Sequence, residues 1–511
     1  MQKSSVKSRF ATTVIVNFMR SALSFVTGLI IARSLGATSY GDYSFLLASF
    51  ITVYKFLSMG TAGAFYTFMS QKPRSKKFVA SYVIWQFLQF SIPLAFIGLI
   101  FPKSWIDVLW LGQQKELILL AFAAVFMQQQ AWQTIVYIGE SMRLTFRVQM
   151  INLCLAAVHI ILIFVMWYFA FLSPKYIFGL IFIEYVIAGL ISCKVIPLSQ
   201  LSDDPLNGKA LFKEYRTYCT PLILYSFIGL IHDFADRWLL QNFGGSEEQG
   251  FYSIGFQFSV VSLLAIGSML NIFWKEIAEA HENKDRERMR HLYQKVSRFL
   301  YFIAVLISAF LIPWSEEIIR ITLGPTFVEG HTVVAVMFFY AAHRALFMIN
   351  GSMLLATGNT RFQLISGGIF MMVGIPISYF IQAPASATIP GLGWGAVGMA
   401  IKVTVLSIIA VNIVTYWIGK QLGTSFDWTY QIVAMGGTLT LGWLSYTMAE
   451  QLASILSLNL YFQASLGCLL YLPMVAALLW QLPWVAGTSR EEIRSVIKSA
   501  MNFIRQSNLG K

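Results

Sequence analysis

The stretch "LIHDFADRWLLQNFGGSEEQGFYSIG", residues 230–255, begins inside an apolar run and ends in a turn, yet its apolar half carries His232, Asp233, Asp236 and Arg237. At 3.6 residues per turn, Asp233 and Arg237 lie one above the other on a helix, as do His232 and Asp236. Pairing along these two adjacent stripes would let an apolar helix tolerate ionisable groups. What that helix packs against depends on the solvent the chain is built for.

That solvent is lipid. Of the 511 residues, 57% are hydrophobic and 12% are charged, whereas soluble domains run near a quarter charged. A bilayer core needs roughly 20 apolar residues per helix, and about fourteen such runs begin near residues 10, 40, 78, 116, 147, 174, 216, 249, 295, 332, 362, 391, 430 and 460. The fold class is therefore an all-α polytopic membrane protein with about 14 transmembrane helices. The first run is too long for a signal-peptide core and contains Arg20, so it is read as retained. The cysteines Cys154, Cys193, Cys219 and Cys468 are scattered and form neither a metal spacing nor a disulfide framework.

The formal charge of +13 raises the question of nucleic acid. Lys and Arg concentrate in cytoplasmic loops because translocating them is costly, and with the N-terminus inside, about 27 of the 37 fall in cytoplasmic segments. These include "QKPRSKK" at 71–77 and "KEIAEAHENKDRERMRHLYQKVSR" at 275–298, while Arg33, Lys103, Lys115, Lys175 and Arg320 fall outside. Topology accounts for the charge, and no nucleic-acid partner is expected. Both termini are placed in the cytoplasm. The C-terminal "SREEIRSVIKSAMNFIRQ" has a Ser489…Glu492 capping box and an apolar stripe of Ile493, Val496, Ile497, Ala500, Met501 and Ile504, as expected of a helix lying in the inner interface among membrane lipids. Docking of a partner is the alternative use of that tail. Trp105, Trp110, Trp274, Trp314, Trp417 and Trp484 fall near span ends and are expected to be mostly interfacial anchors.

The opening stretch also closes on an echo. Gly244…Gly250-Phe251-Tyr252-Ser253 repeats Gly36…Gly41-Asp42-Tyr43-Ser44 at an offset of about 209 residues, and "IGESMR" at 138–143 is echoed by "TGNTR" at 357–361. Two six-span units follow, and because six is even they enter the membrane with the same polarity. The expected organisation is a bundle over 1–200, a second parallel bundle over 201–425, two added helices over 426–485 and a tail over 486–511. Halves so related leave a cleft that opens to one side at a time.

Five bases fall within spans: Arg20, Lys55, Arg237, Arg344 and Lys402. Each costs about 2.5–3.5 kcal/mol at a helix centre, so most should face protein or a wet cavity. Apart from Arg237, none has an acid three or four residues away. The deep acids Asp233, Asp236 and Glu184 leave about two positive charges uncompensated. A bound pyrophosphate would supply about that much negative charge; for each single base, snorkelling or pairing with a group on another helix is the alternative.

"SALSFVTGLIIARSLGATSYGDYSFLLASF" at 21–50 and "DRWLLQNFGGSEEQGFYSIG" at 236–255 resemble the polysaccharide transporter family that includes O-antigen (Wzx-type) flippases, within a superfamily shared with multidrug and toxin extruders and lipid II flippases. The resemblance runs through span 12 and is most specific in these two motifs. It implies two six-helix bundles around a central cleft that carries an undecaprenyl pyrophosphate-linked oligosaccharide to the outer leaflet by alternating access. By the same resemblance, Arg20, Lys55, Arg237, Arg344 and Lys402 would hold the pyrophosphate, Arg237 as a later contact near the outer gate. Asp233, Asp236 and Glu184 are candidates for H+ or Na+ coupling; no other cofactor and no metal is expected, and a polysaccharide polymerase stands as a candidate partner.

Two other functions compete. A drug extruder binding cationic cargo needs acids, and the deep charge here has the opposite sign, although an ion-coupled extruder shares the same candidate acids. A polytopic glycan polymerase or ligase would present a sizeable outer loop, and the longest outer segment, about 315–331, is short. No nucleophile triad, HExxH or P-loop is present, so an enzyme is not expected.

Overall fold

The computed structural model describes residues 6–72, 74–197, 201, 207–263, 266–424 and 427–495. In lipid a backbone must satisfy its own hydrogen bonds, and the apolar runs accordingly become helices. Ten segments among the described residues are long and apolar enough to cross a membrane. The protein is a multi-pass helical membrane protein. Two of the ten are double, because α1 (Val6–Ser58) passes through Gly36 at φ 72° and α9 (Gly208–Ser259) through Gly245 at φ 83°. Only glycine takes that conformation without strain, so each break folds one helix into two. The structural partner of Gly36 is thus Gly245, one residue beyond the Gly244 that the matched letters suggest.

The chain forms two compact units that are not consecutive halves. The first comprises residues 1–253, 322–327 and 367–399. It contains α1, α2 (Thr61–Gln71), α3 (Lys76–Ala95), α4 (Lys103–Leu109), α5 (Lys115–Phe126), α6 (Trp132–Ser141), α7 (Thr145–Tyr168), α8 (Pro174–Val195) and most of α9. Its main packing runs along α1 with α7 and α5 with α8. Phe65 stacks on Tyr82 at 4.2 Å between α2 and α3. Large apolar side chains such as Phe87, Ile161, Phe164 and Ile187 stay exposed, as faces solvated by lipid must.

Within this unit the two broken helices cross at close range. A Cβ on Gly41 would stand 1.6 Å from the Ser246 carbonyl oxygen, and one on Gly250 would stand 2.3 Å from the Ala37 carbonyl oxygen. The contact is reciprocal, since Ser246 and Gly250 are the 209-residue counterparts of Ala37 and Gly41, and the Ser253 hydroxyl donates across the same interval of 209 to Ser44 at 2.9 Å. The crossing has local two-fold symmetry. The second echo is shifted by comparison: Arg143 and Gly358 hold the same left-handed position in the turns after α6 and α13 (His331–Ala356), three residues off the letter match that pairs Arg143 with Arg361.

The second unit comprises residues 254–321, 328–366 and 400–511. It packs α11 (Arg286–Leu311) against α13 and α16 (Thr429–Ile455), with α10 (Gly267–Glu282) and α17 (Leu460–Gln481) alongside, and it holds most of the short α12 (Ser315–Thr322). The core includes Tyr301, Val305, Ala345, Ile349 and Tyr471. α14 (Thr360–Gln382) and α15 (Gly395–Leu422) are shared between the units.

Arg298 on α11 ties in the chain's end by pairing with Asp427 at 2.7 Å and lying over the Tyr430 ring. Ser489 and Glu492 form the reciprocal capping box, each backbone N–H donating to the other's side chain at 3.2 Å. Lys295 holds Glu492 at 2.5 Å and keeps its carboxyl below the usual carboxylate range. Val496, Ile497, Ala500, Met501 and Ile504 lie outside the described residues. Two tryptophans expected at the interface are core instead: Trp110 is buried against Phe50, and Trp314 against Phe310 and Tyr446. An aromatic near a span end packs inward when a neighbouring helix offers a ring, which the linear sequence does not reveal.

Candidate functional site

The ionisable groups of α9 join a chain that crosses three helices. Lys55 Nζ on α1 lies 3.4 Å from Asp233 Oδ2. His232 Nδ1 meets Asp233 Oδ1 at 3.1 Å, and His232 Nε2 lies 3.7 Å from Asp236 Oδ2. The Ser378 hydroxyl on α14 donates to Asp236 Oδ1 at 2.5 Å. Asp236 is buried, whereas the Lys55 side chain is 61% exposed. The exposed end is worth little as an ion pair, about 0–1 kcal/mol. The buried end matters more, because a desolvated carboxylate must be hydrogen-bonded or neutralised.

Two expectations are corrected here. His232 and Asp236 do pair at i, i+4, but Asp233 turns to Lys55 instead of Arg237. Arg237 donates to Ser253 at 3.0 Å and lies 4.7 Å over the Tyr252 ring. Lys55 therefore has a carboxylate partner, supplied by another helix 178 residues away, which a search along one helix cannot find.

Arg237 thereby reaches the glycine crossing. Through Ser253 it connects to Ser44. Beside it, Asp42 accepts from Gln241 at 3.0 Å and from Ser246 at 2.7 Å. The backbone contact at Gly41 and Gly250 thus carries a polar clasp on its flank. Such a contact forms only when the two helices are within backbone distance.

Glu184 stands elsewhere in the first unit. It is buried on α8 with Oε2 2.7 Å from His159 Nδ1, while its Oε1 has no hydrogen-bond partner among the described residues. Arg20, on α1, is exposed. In the second unit Arg344 is half-buried with its guanidinium 4.4 Å over the Phe347 ring, and Lys402 is buried on α15. Neither Arg20 nor Arg344 has a carboxylate within ion-pair distance among the described residues. The structure thus places Lys55, His232, Asp233, Asp236 and Arg237 together and sets Glu184 apart from them. Among the described residues no cluster of three or more His, Cys, Asp or Glu offers a metal site.

Sequence reasoning missed a second polar region. α5 passes into α6 through a π-helical turn, Met127–Ala131. There Gln130 donates to Gln89 at 2.8 Å, Gln86 donates to Thr134 at 2.5 Å, and Gln89 donates to the Leu57 carbonyl. The signal was present in "MQQQAWQ" at 127–133, a glutamine run inside an apolar span. A search for charges passes over amides.

The family model described as polysaccharide biosynthesis protein matches residues 30–331. Among curated proteins none matches the sequence. Among solved structures, the lipid II flippase MurJ in an inward closed conformation shares the fold at a TM-score of 0.69 and 14% identity, over 92% of this chain and 98% of that one. An inward-facing multidrug resistance MATE family transporter of the MOP superfamily follows at 0.60 and 14% identity, over 79% and 94%. A MOP superfamily transporter from Pyrococcus furiosus, whose binding pocket is described as of reverse polarity, aligns at 0.55 and 12% identity, over 82% and 97%.

Proposed function

Because the chain belongs to the polysaccharide biosynthesis protein family, we propose that it is a flippase that moves an undecaprenyl pyrophosphate-linked oligosaccharide, an O-antigen or other surface polysaccharide unit, across the bacterial inner membrane by alternating access. The observation that carries the reading is the sign of the charge within the spans. Arg20 and Arg344 have no carboxylate near them among the described residues, and the cargo headgroup is an anion. With Lys55, Arg237 and Lys402 they are the proposed pyrophosphate contacts, and the lipid flippase with the same fold is in keeping with a lipid-linked cargo.

Asp233, Asp236 and Glu184 are the proposed H+ or Na+ sites. Each already sits against a histidine. The proposed topology has fourteen crossings with both termini in the cytoplasm and six-span repeats over 1–200 and 201–425, supported by the basic loops and by the symmetric glycine crossing. A polysaccharide polymerase is the proposed protein partner.

A second reading, an ion-coupled drug extruder, draws on the MATE fold. It needs deep acids free to bind cationic cargo, and here Asp233 and Asp236 are already engaged with Lys55, His232 and Ser378. The deciding experiment is a deletion strain whose lipid-linked intermediates are read by mass spectrometry. A glycan-bearing undecaprenyl species accumulating on the inner leaflet, restored by the wild-type gene but not by Arg344→Ala or Arg20→Ala, supports the flippase. Unchanged lipid intermediates with raised drug sensitivity would support the extruder.

A further inference from the structure

The helix that contains the glutamine run is unlike the rest of the first unit. Between residues 117 and 142 no side chain is exposed, whereas α3, α7 and α8 each present large apolar side chains to the surroundings. The α5–α6 rod is therefore enclosed by protein. It nevertheless carries two polar stripes. Gln130 and Thr134, in line with Ile138, are buried; Gln130 donates to Gln89 and Thr134 accepts from Gln86, while Gln130 Oε1 has no hydrogen-bond partner among the described residues. Gln129, Gln133, Tyr137 and Glu140 form the neighbouring stripe, and all four are half-buried. At 1.5 Å per residue that stripe is roughly 16 Å long.

The chemistry of the half-buried stripe is specific. Gln129 donates to Gln128 at 3.2 Å, and Gln128 reaches the Tyr185 hydroxyl at 3.5 Å. Tyr137 is stacked on Tyr66 at 4.6 Å. Gln149 donates to Glu140 at 3.2 Å. Amides that donate and accept alternate with aromatic faces, and Arg20 lies within electrostatic reach of Tyr185. A side-chain amide has four hydrogen-bonding sites, and these contacts occupy one or two on each of Gln128 and Gln129. The π turn adds one residue to the helix, a distortion that recurs at functional sites, and it contains the three consecutive glutamines Gln128, Gln129 and Gln130.

We propose that Gln128, Gln129, Gln133, Tyr137 and Tyr185 form a carbohydrate-reading surface of the first unit that binds the hydroxyls and the apolar ring faces of the cargo's glycan. The proposal rests on the flippase reading and deepens it by giving the glycan its own contacts, separate from the cations that would take the pyrophosphate. Sugars are neutral, and each offers hydroxyls to amides and a C–H face to tyrosine rings. Gln130, Gln89 and Gln86 are the framework that holds the π turn and not part of the reading surface.

The test is binding to the full-length protein in detergent micelles with two probes. One is bare undecaprenyl pyrophosphate, and the other is the same lipid carrying the oligosaccharide isolated from the deletion strain. The wild type is expected to bind the glycan-bearing lipid more tightly. Gln128→Leu and Gln129→Leu are each expected to weaken that binding about tenfold while leaving bare-lipid affinity unchanged. Retained affinity for the bare lipid shows that the variants are folded, and Gln129→Asn, which keeps the amide, is expected to fall between wild type and Gln129→Leu. Equal wild-type affinity for the two probes, or variants that lose both or neither, would overturn the proposal. Wild-type protein that binds neither probe would overturn the flippase reading itself.

Discussion

Replacing Gly41 by alanine tests whether the crossing of the two broken helices is as tight as its geometry requires. The added methyl would lie 1.6 Å from the Ser246 carbonyl oxygen. The atoms in the way are backbone, so no rotamer relieves the clash, and restoring contact near 3.4 Å parts the helices by about 2 Å. Overpacking costs about 1–3 kcal/mol. The separation also strains the Ser246–Asp42 bond of 2.7 Å, at about 1 kcal/mol. A total of roughly 2–4 kcal/mol shifts the closed crossing's population by at least about thirtyfold. The assay is oxidative cross-linking of a Ser44→Cys, Ser253→Cys pair in a chain with Cys154, Cys193, Cys219 and Cys468 replaced by serine. Gly41→Ala is expected to slow cross-linking at least tenfold and Gly250→Ala less, because its methyl would meet Ala37 at 2.3 Å. Gly179→Ala on α8, where nothing lies within 4 Å of the added Cβ, is the control. Equal cross-linking in Gly41→Ala and Gly179→Ala would refute the reasoning.

Other consequences are also measurable. Asp236→Asn removes a buried carboxylate held by His232 and Ser378 and is expected to abolish the dependence of transport on the ion gradient while the protein still inserts, read as glycan export with and without an uncoupler. Lys55→Ala is expected to lower thermal stability by less than about 1 kcal/mol because its pair with Asp233 is largely exposed; a larger loss in a melting assay would show that the pair is desolvated in the membrane. Glu492 has its pKa lowered chiefly by Lys295, so the stabilisation it gives the tail is complete above the usual carboxylate range and is lost as pH falls through its depressed value. The tail should accordingly become protease-sensitive below about pH 4, and Glu492→Gln should show the same sensitivity at neutral pH.

The fold was legible because lipid imposes a simple rule. Apolar runs of sufficient length become helices, and the glycine-rich echoes at 36–44 and 244–253 coincide with the two breaks. Their register was one residue off at the first glycine, since letters align on chemistry whereas the break follows the residue with positive φ. Pairing within one helix was also legible, as His232 and Asp236 show. Pairing between helices was not, so the Lys55–Asp233 contact and the burial of Trp110 and Trp314 emerge only in three dimensions. The glutamine stripe was hidden for a different reason. Amides carry no charge, and their cost in a membrane depends on whether a partner helix or a cargo satisfies them.

The most direct measurement places the purified chain in liposomes containing undecaprenyl pyrophosphate-linked oligosaccharide and follows the glycan with a glycosidase confined to the outside. Protection from the enzyme should fall in vesicles containing the wild type and, with Arg344→Ala, should fall no further than in empty ones. Identical protection in wild-type and protein-free vesicles, with an ion gradient applied in either direction, would contradict the account.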